Sequence, residues 1–486
     1  MPAKKIPQIR DFSKGRITSY SSNNALKPTN SVSDSFNADF DRIIGSGVVR
    51  RGTTPLNSVV ASNKTPLGLG EFVGTGGSPN YLLSAYSGAS NATVYYYNGS
   101  TWSATGLTTL NNSAEVRFAT IGGRVFMVNG VDAMKSSVDG TTWNTTNCIT
   151  TNSVVPSLIY RYSGKIITGG YSGFKDRTYL SSVIDPNATP TLTWNTDPST
   201  GDWIDINPDD GDNVTGYADV SSVVIVFKSR NMYRLSVLNN SADPESIFNA
   251  GAVSQEAITK CQGTVYFFSG DSVYSTTGGY PTQISRLGVQ DYIDAIPKSQ
   301  WSSVSLGADT WNVYVSTGQI TVNGLTNYYV LKFSVRDQSW SVHYYPVFFG
   351  RFSQYTDSLG RRLRVADSAG FVQTIGYGNT DNGTPRFYSI DTQEIEFGQR
   401  LDTKKITGHI GVFTRNAGGS TISVKEESDD WRSLSKNLKS PIDIFDDNVE
   451  GRFIKFRWSG TTSTVDPVFE GFIFPEVKNQ GIIDDL

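Results

Sequence analysis

The chain has 486 residues, with 42 Lys and Arg against 45 Asp and Glu, a formal net charge of −3. That balance argues against a dedicated nucleic-acid binder, which carries a basic excess or stripe. Two cysteines, Cys148 and Cys261, exclude a disulfide framework and a four-cysteine zinc site. Two histidines, His343 and His409, leave little room for histidine-based metal or triad chemistry.

Taken from the start, residues 1–35 read as a polar, basic N-terminal arm. It carries Lys4, Lys5, Arg10, Lys14 and Arg16 and lacks the apolar run of a secretory signal. Such an arm is either a solvated tail or a docking element for an acidic neighbour, a second subunit or an adaptor protein. The longest aliphatic run, Val223-Val224-Ile225-Val226, is too short to span a bilayer. The expectation is a soluble protein made in a cytoplasm, with no direct membrane insertion and no cofactor.

From residue 36 to 384 the pattern is β throughout. Helix-period stretches are missing, and 47 glycines and 19 prolines are spread along the chain. Short Val, Ile, Tyr, Phe and Thr runs alternate with Gly, Asn, Asp and Ser clusters, the pattern of short strands joined by tight turns. An apolar strand after a turn recurs at Asn80, Gly123, Gly164, Ser222, Gly263, Trp311 and Arg362. The spacings, by subtraction, are 43, 41, 58, 41, 48 and 51 residues. A period of about 40–50 residues is one four-stranded propeller blade. The reading is an all-β chain built as a β-propeller of about seven blades, with six or eight possible.

A second unit ends in tryptophan. Asn98-Gly99-Ser100-Thr101-Trp102 matches Asp139-Gly140-Thr141-Thr142-Trp143 at a distance of 143 − 102 = 41 residues, and Asp337-Gln338-Ser339-Trp340 is a third copy. The stretch from Ser137 to Trp143 resembles an Asp-box, a hairpin turn of sialidase-like propellers. Asp139 accepts backbone N–H bonds, Gly140 takes a positive φ, Ser137 opens the turn and Trp143 packs beneath.

From residue 385 to 476 the period fades and longer strands appear, at Gln393–Phe397, Ile406–Phe413, Ile422–Glu426, Gly451–Trp458 and Phe469–Phe474. They predict an appended C-terminal β-sandwich. In Gly451–Trp458, Ile454, Phe456 and Trp458 alternate with Lys455 and Arg457, the mark of a half-buried strand. Residues 477–486 form an acidic tail with Asp484 and Asp485.

Catalytic signals are thin. A sialidase-like hydrolase needs an arginine cluster and a tyrosine nucleophile with a carboxylate partner. Arginines exist, for example Arg361, Arg362 and Arg364, but alternating charged residues on one strand more often form a solvated face. The Phe/Tyr-Arg-Ile-Pro motif does not occur, nor do Gly-x-Ser-x-Gly, P-loop or His-Glu-x-x-His motifs. Asp209-Asp210-Gly211-Asp212 lacks the spacing and closing Glu of a calcium loop and reads as an acidic turn. Tyr95, Tyr96 and Tyr97 could stack on sugars, though adjacent strand residues split between core and surface. The sequence thus predicts no catalytic, metal or cofactor site.

Four stretches carry a family resemblance. Asp39-Phe40-Asp41-Arg42 through Val49-Arg50-Arg51-Gly52 is the first. Trp203 to Pro208, Asp210 to Gly216, Val224 to Lys228 and Asn231 to Leu235 form the second. Gly251 to Ser254, Tyr266 to Phe268 and Val273-Tyr274 form the third, and Gly451 to Arg457 the fourth. Together they resemble the tail nozzle or hub proteins of short-tailed bacteriophages, also called tail tubular protein B or packaged-DNA stabilisation protein. The resemblance covers most of residues 36–475. It implies a structural virion protein of the phage tail, made in the host cytoplasm and assembled as a homo-oligomeric ring, usually a hexamer. Such a ring sits below the portal and adaptor (head-to-tail connector) proteins, meets tail fibre or spike proteins, and retains and then conducts genomic DNA through its lumen without sequence recognition. The competing readings are a glycan- or receptor-binding propeller of a tail tip and a sialidase-like hydrolase.

Overall fold

Strand-forming side chains and turn residues alternate so densely that local structure settles into hairpins. The computed structural model describes residues 8–17, 30–76, 79–144, 155–181, 203–221, 223–235, 245–358, 360–394, 404–406, 409–426, 430–436, 438, 441–446, 449–451, 454–474 and 477–479. Their antiparallel sheets arrange as a seven-bladed β-propeller and a β-sandwich. Among the described residues helix is confined to one short α-helix, α1 (Gln290–Asp294), and the 3-10 turn Lys298–Ser303.

The innermost strands of blades 1 to 7 are Pro66–Phe72, Arg117–Ile121, Leu158–Tyr162, Val214–Val220, Ile258–Cys261, Ser305–Ala308 and Phe349–Asp357. Each packs on the next, and the last packs on the first, so the ring is closed. The second strands are Tyr81–Tyr86, Arg124–Val128, Lys165–Gly169, Val223–Lys228, Thr264–Phe268, Asn312–Val322 and Gly360–Asp367. Covered on both faces by neighbouring blades, they bury almost every residue, which is why they are the most apolar runs of the chain. Blade 7 is completed by an N-terminal strand. Thr53–Pro55 pairs with Val372–Ile375 as its outermost strand, so two segments more than 300 residues apart close the ring. Closure leaves only short, protected edges.

The sandwich core is aromatic: Phe456, Trp458, Phe469 and Phe472 are fully buried, with Trp458 stacked on Phe469 at 5.3 Å. Lys455 and Arg457, between the buried residues of Ile454–Thr462, stay half-exposed.

Three expected boundaries differ. First, residues 36–49 do not belong to the propeller. Val32–Phe36 pairs with Arg386–Thr392, and Ala38–Asp39 with Gly47–Val49 joins Val468–Ile473. Second, part of the expected arm is core rather than tail. Gln8–Ile9 pairs with the same Val468–Ile473 strand, and Phe12 is fully buried on Phe469 at 5.4 Å. A two-layer sandwich with these aromatics needs apolar cover on every edge, and the start of the chain supplies it. Third, Val477–Asn479, placed in the acidic tail, is a strand on Lys404–Ile406, while residues 480–486, including Asp484 and Asp485, lie outside the described residues. Of the strand expected at Gln393–Phe397, residues 395–397 lie outside the described residues and Gln393 and Glu394 are not in a strand; the strand preceding them is Arg386–Thr392, where Ser389 to Thr392 is buried.

Candidate functional site: the propeller axis and the domain junction

Inner strands converge on the propeller axis, where space is scarce. At Gly70 a Cβ would lie 2.7 Å from the Phe118 side chain, and at Gly307 2.5 Å from Phe352. Glycine there lets the phenylalanines of the next blades lie against the backbone. Between them remains a cavity of about 550 Å³. Its walls are Phe118, Ile159, Ile258, Leu306, Phe352 and Leu363, and its charged groups are Glu71, Arg161, Lys260 and Arg361.

The two ends of this cavity differ. Near the beginnings of the inner strands, Arg117 of blade 2 donates to both carboxylate oxygens of Glu256, which precedes the inner strand of blade 5, each at 2.7 Å. Blades 2 and 5 are three apart in a ring of seven, so this pair crosses the axis. Arg117 also pairs with Glu115, and Arg351 of blade 7 donates to Glu115 at 2.7 Å. Burial raises the Glu256 pKa, but Arg117 and Arg351 outweigh it and bring it down to about 2. Glu115 is shifted the other way, upward, by burial and by Glu256. At the opposite end, ion pairs follow the rim between neighbouring blades. Tyr160 donates to Asp219, which also accepts from Lys260, and Arg361 pairs with Glu71 at 3.3 Å. The axis is therefore bridged at one end and open at the other.

Nucleophilic chemistry finds little support here. Burial and the Asp219 contact hold the Tyr160 hydroxyl far above its usual pKa, so it stays protonated. The three arginines do not converge. Arg361 turns to Glu71, Arg362 lies over the Tyr377 ring at 4.6 Å, and Arg364 is buried beside Asp357. Among the described residues no group of three or more His, Cys, Asp or Glu is placed to hold a metal ion. The acidic turn instead anchors a buried cation and a neighbouring loop. Asp210, with Asp176, accepts from the fully buried Lys228 ammonium at 2.7 Å, and Asp212 accepts the Arg230 backbone N–H at 2.8 Å.

The turn from Ser137 to Trp143 is one unit. Asp139 Oδ1 accepts the N–H groups of Thr141 at 2.8 Å and Thr142 at 2.7 Å, and Ser137 Oγ accepts that of Gly140 at 2.8 Å. Partial burial pushes the Asp139 pKa up, and the Thr142 and Thr141 N–H groups prevail and set it at about 2. Gly140 has φ +75°, and Trp143 is buried near Phe118. Asn98 repeats the arrangement, accepting from Ser100 and Thr101. These turns serve hairpin geometry, and none of their residues lines the axial cavity.

The basic residues of the arm are divided. Lys4 and Lys5 lie outside the described residues. Arg10 is exposed over the Phe413 ring at 4.5 Å, and Lys14 is exposed. Arg16 is not available for docking. It is 2% exposed, bonded to Asp34 at 2.9 Å, to both oxygens of Asp291 in α1 at 2.9 and 2.6 Å, and to the Gly288 carbonyl at 2.6 Å.

Sequence reasoning missed the junction between propeller and sandwich. Arg50 is 1% exposed and forks onto Asp381 at 2.8 and 2.5 Å. It donates further to Asn37 Oδ1 at 2.7 Å and the Tyr344 carbonyl at 2.9 Å, over the Tyr345 ring at 4.0 Å. Buried Arg386 reaches the Arg50 carbonyl and Asp466. Lys332 of blade 6 bonds Asp39 at 3.0 Å and Asp41 at 2.8 Å. His343 Nε2 meets Asp39 at 2.9 Å, and burial lowers its pKa. Each partner alone reads as a surface charge. The only hint was the Asp39-Phe40-Asp41 and Arg50-Arg51 pair of motifs within the family resemblance. His409, at the start of a sandwich strand, is exposed. Cys261 is buried, which with Asp309 pushes its thiol up to about 11, and Cys148 lies outside the described residues. Tyr97 packs on Trp102 at 5.2 Å and Tyr96 on Tyr81 at 5.1 Å, so the tyrosine run is divided between two packing environments.

No family model and no curated protein matches the chain. Among solved structures it is similar to the extracellular domain of a hybrid two-component system from B. thetaiotaomicron, with TM-score 0.40 and 9% identity over 79% of this chain. The chain spans about half, 47%, of that protein. It is also similar to the AfRom2 CNH domain, with TM-score 0.40 and 9% identity over 68% of this chain and 100% of that one. No helix among the described residues is long and apolar enough to cross a membrane.

Proposed function

We propose that this chain is a mechanical subunit: a ring-forming tail nozzle or hub protein of a short-tailed bacteriophage. In the virion it extends the DNA exit channel below the portal and adaptor, meets fibre or spike proteins beyond, and helps retain and then conduct the genome. The observation that carries this reading is the interleaving of the two domains along the N-terminal chain. N-terminal strands run through the sandwich, the next one closes blade 7, Lys332 of blade 6 buries its charge against Asp39 and Asp41, and Arg50, between the domains, forks onto Asp381 and donates to the Tyr344 carbonyl of blade 6. Buried charge networks resist sliding because any displacement leaves an unpaired buried charge.

DNA would not travel through a single propeller. Its axis is crossed by Arg117 and Glu256, and a duplex whose major groove alone is about 12 Å wide finds no passage there. The lumen would instead lie between subunits of the ring. A mildly acidic wall avoids the affinity that each neutralised phosphate adds through counterion release. A cyclic ring is heterologous, so each subunit presents two different complementary faces.

Native mass spectrometry, alone and after mixing with the adaptor ring, tests this. A six- or twelve-fold assembly, seen by cryo-EM with an axial lumen, is the expected result. A monomer under both conditions, or a ring without a lumen, overturns it.

A further inference from the structure

The cleft between the sandwich and the propeller carries a charge arrangement that packing does not explain. Its volume, about 620 Å³, lies within the 300–1,000 Å³ of typical ligand pockets. One wall is the outer face of the sandwich sheet that contains Val32–Phe36, Arg386–Thr392, Ile454–Thr462 and Thr421–Glu426. The opposite wall holds Asp291 of α1 and Asn323, at the tip of the blade 6 hairpin between Asn312–Val322 and Leu325–Ser334. Buried Arg16 ties the walls together, bonded to Asp34 on one and to Asp291 on the other.

Charges on the sandwich wall break a local rule. Asp34 stands directly opposite Asp391, and Lys425 directly opposite Lys455. Like charges directly across two strands are destabilising, and such violations concentrate at functional sites. The two carboxylates are neutralised in place. Arg457 donates to both oxygens of Asp391 at 2.7 and 2.6 Å, and Arg16 holds Asp34 at 2.9 Å. The two lysines are not. Lys455 reaches Glu394 only at 3.7 Å, and Lys425 forms no ion pair among the described residues. Side chains directly opposite start about 5 Å apart, so one anionic group can meet both ammonium groups and relieve their repulsion. The remaining lining selects the body that bears this anion. Trp431 is half-buried, lines the cleft and has Arg457 over its ring at 4.1 Å. Carboxylates that only accept and cations that only donate share the cleft with this ring. Sugar hydroxyls both donate and accept, which suits such a mixture, and the C–H face of a sugar ring packs on an indole. The same carboxylates repel a polyanion.

We propose that this cleft binds a saccharide carrying an anionic group. Lys425 and Lys455 hold the anion, Trp431 packs against a sugar ring, and Asp34, Asp291 and Asn323 meet its hydroxyls. The site lies within one subunit, so it stands or falls separately from ring assembly.

The test is a calorimetric titration of the intact chain with sialyllactose and trigalacturonate, whose anions are carboxylates, and with glucose 6-phosphate, whose anion is a phosphate. Lactose, maltotriose and a thymidine trinucleotide are the controls. Saturable binding of at least one anionic sugar is expected, at least ten-fold tighter than any control, and the sugar that binds identifies the anion. Raising salt from about 0.1 to 1 M, where the screening length falls from about 10 to 3 Å, should weaken it. Lys425→Glu should weaken it at least ten-fold. Because that change sets opposite charges across the two strands, the urea midpoint of the ligand-free chain should be unchanged or raised, so misfolding does not produce the loss. Ligand should also shift the emission of Trp431, a change abolished in Trp431→Phe. No saturable binding by any of the three sugars, a control that binds as tightly, full binding or a lowered urea midpoint in Lys425→Glu, or an emission change that persists in Trp431→Phe overturns the proposal.

Discussion

Arg50→Met is the most informative single substitution. The guanidinium it removes sits at the meeting point of both domains, 1% exposed, with two bonds to Asp381, one to Asn37 and one to the Tyr344 carbonyl. Methionine retains apolar volume but no charge, so Asp381, itself 5% exposed, is left as an uncompensated buried carboxylate. Removing one partner of such a pair costs about 3–5 kcal/mol. Asn37 Oδ1 does not add to the loss, because it still accepts the Tyr344 N–H at 3.0 Å. The stacking over Tyr345 contributes up to about 2 kcal/mol when desolvated, part of which the methionine side chain restores. The expected loss is therefore about 3–5 kcal/mol, read as a lower urea midpoint with an unchanged slope by tryptophan fluorescence. The double variant Arg50→Met with Asp381→Leu removes both charges and should recover most of it, since an apolar pair is often as stable as a buried ion pair. A single-variant loss under about 1 kcal/mol, or a double variant no better than the single, would refute the claim that this pair locks the domains.

Three further substitutions probe paired or hydrogen-bonded charge elsewhere in the fold. Asp139→Ala removes the acceptor for two solvent-exposed N–H groups of a hairpin turn and should cost about 1 kcal/mol at pH 7. Because the folded pKa is depressed to about 2, that contribution is complete above the ordinary carboxylate range and vanishes as pH falls from about 4 toward 2, so wild type and variant should converge in acid unfolding scans. Glu256→Gln removes the carboxylate that crosses the axis but leaves Arg117 paired with Glu115, and should cost about 1.5–3 kcal/mol at neutral pH. Its pKa is likewise held down to about 2, so the deficit should shrink as pH drops through the same acid window, by calorimetry. Lys228→Met strips the ammonium from between Asp176 and Asp210 and should lower stability by about 3 kcal/mol or more. Faster hydrogen exchange in residues 207–213 would show that the acidic turn depends on it.

The propeller was legible because its second strands are covered on both faces. Six of the seven repeat starts fall on the residue just before a second strand, from Asn80 before Tyr81–Tyr86 to Trp311 before Asn312–Val322, and Arg362 falls inside Gly360–Asp367. Tight turns with positive φ precede several of them, as at Gly123, Gly164 and Gly263, so punctuation and apolar run reinforced each other. The N-terminal strands were not legible. Val32–Phe36 reads Val-Ser-Asp-Ser-Phe, mostly polar, and pairs with a strand more than 350 residues away. Nothing local distinguishes it from a loop. Buried charge was equally hidden, because Arg50 and Lys332 look like surface residues until Asp381 and Asp39 arrive from distant segments. The axial pocket follows from ring closure, which brings Phe118, Leu306 and Phe352 together from three blades.

The path of the chain between the two domains decides how they carry load. Gln8–Ile9 and Val468–Ile473 lie in one sheet, while Thr53–Pro55 closes the propeller at its far blade. A load applied to the sandwich therefore reaches blade 7 through covalent chain on two sides, residues 49–53 and 375–386, and reaches blade 6 through Lys332 and the Arg16 contacts to α1. Separating the domains requires breaking these buried ion pairs together, and each would strand a charge. Flexible tethering, the default for two domains with a modest polar interface, is thus disfavoured by the arrangement of buried charge. On the proposed function, a subunit built in this way would transmit force without changing shape, the property a ring around pressurised DNA requires. If hydrogen exchange showed the strands on either side of the junction opening independently, at free energies far below that of global unfolding, the mechanical reading would lose its physical basis.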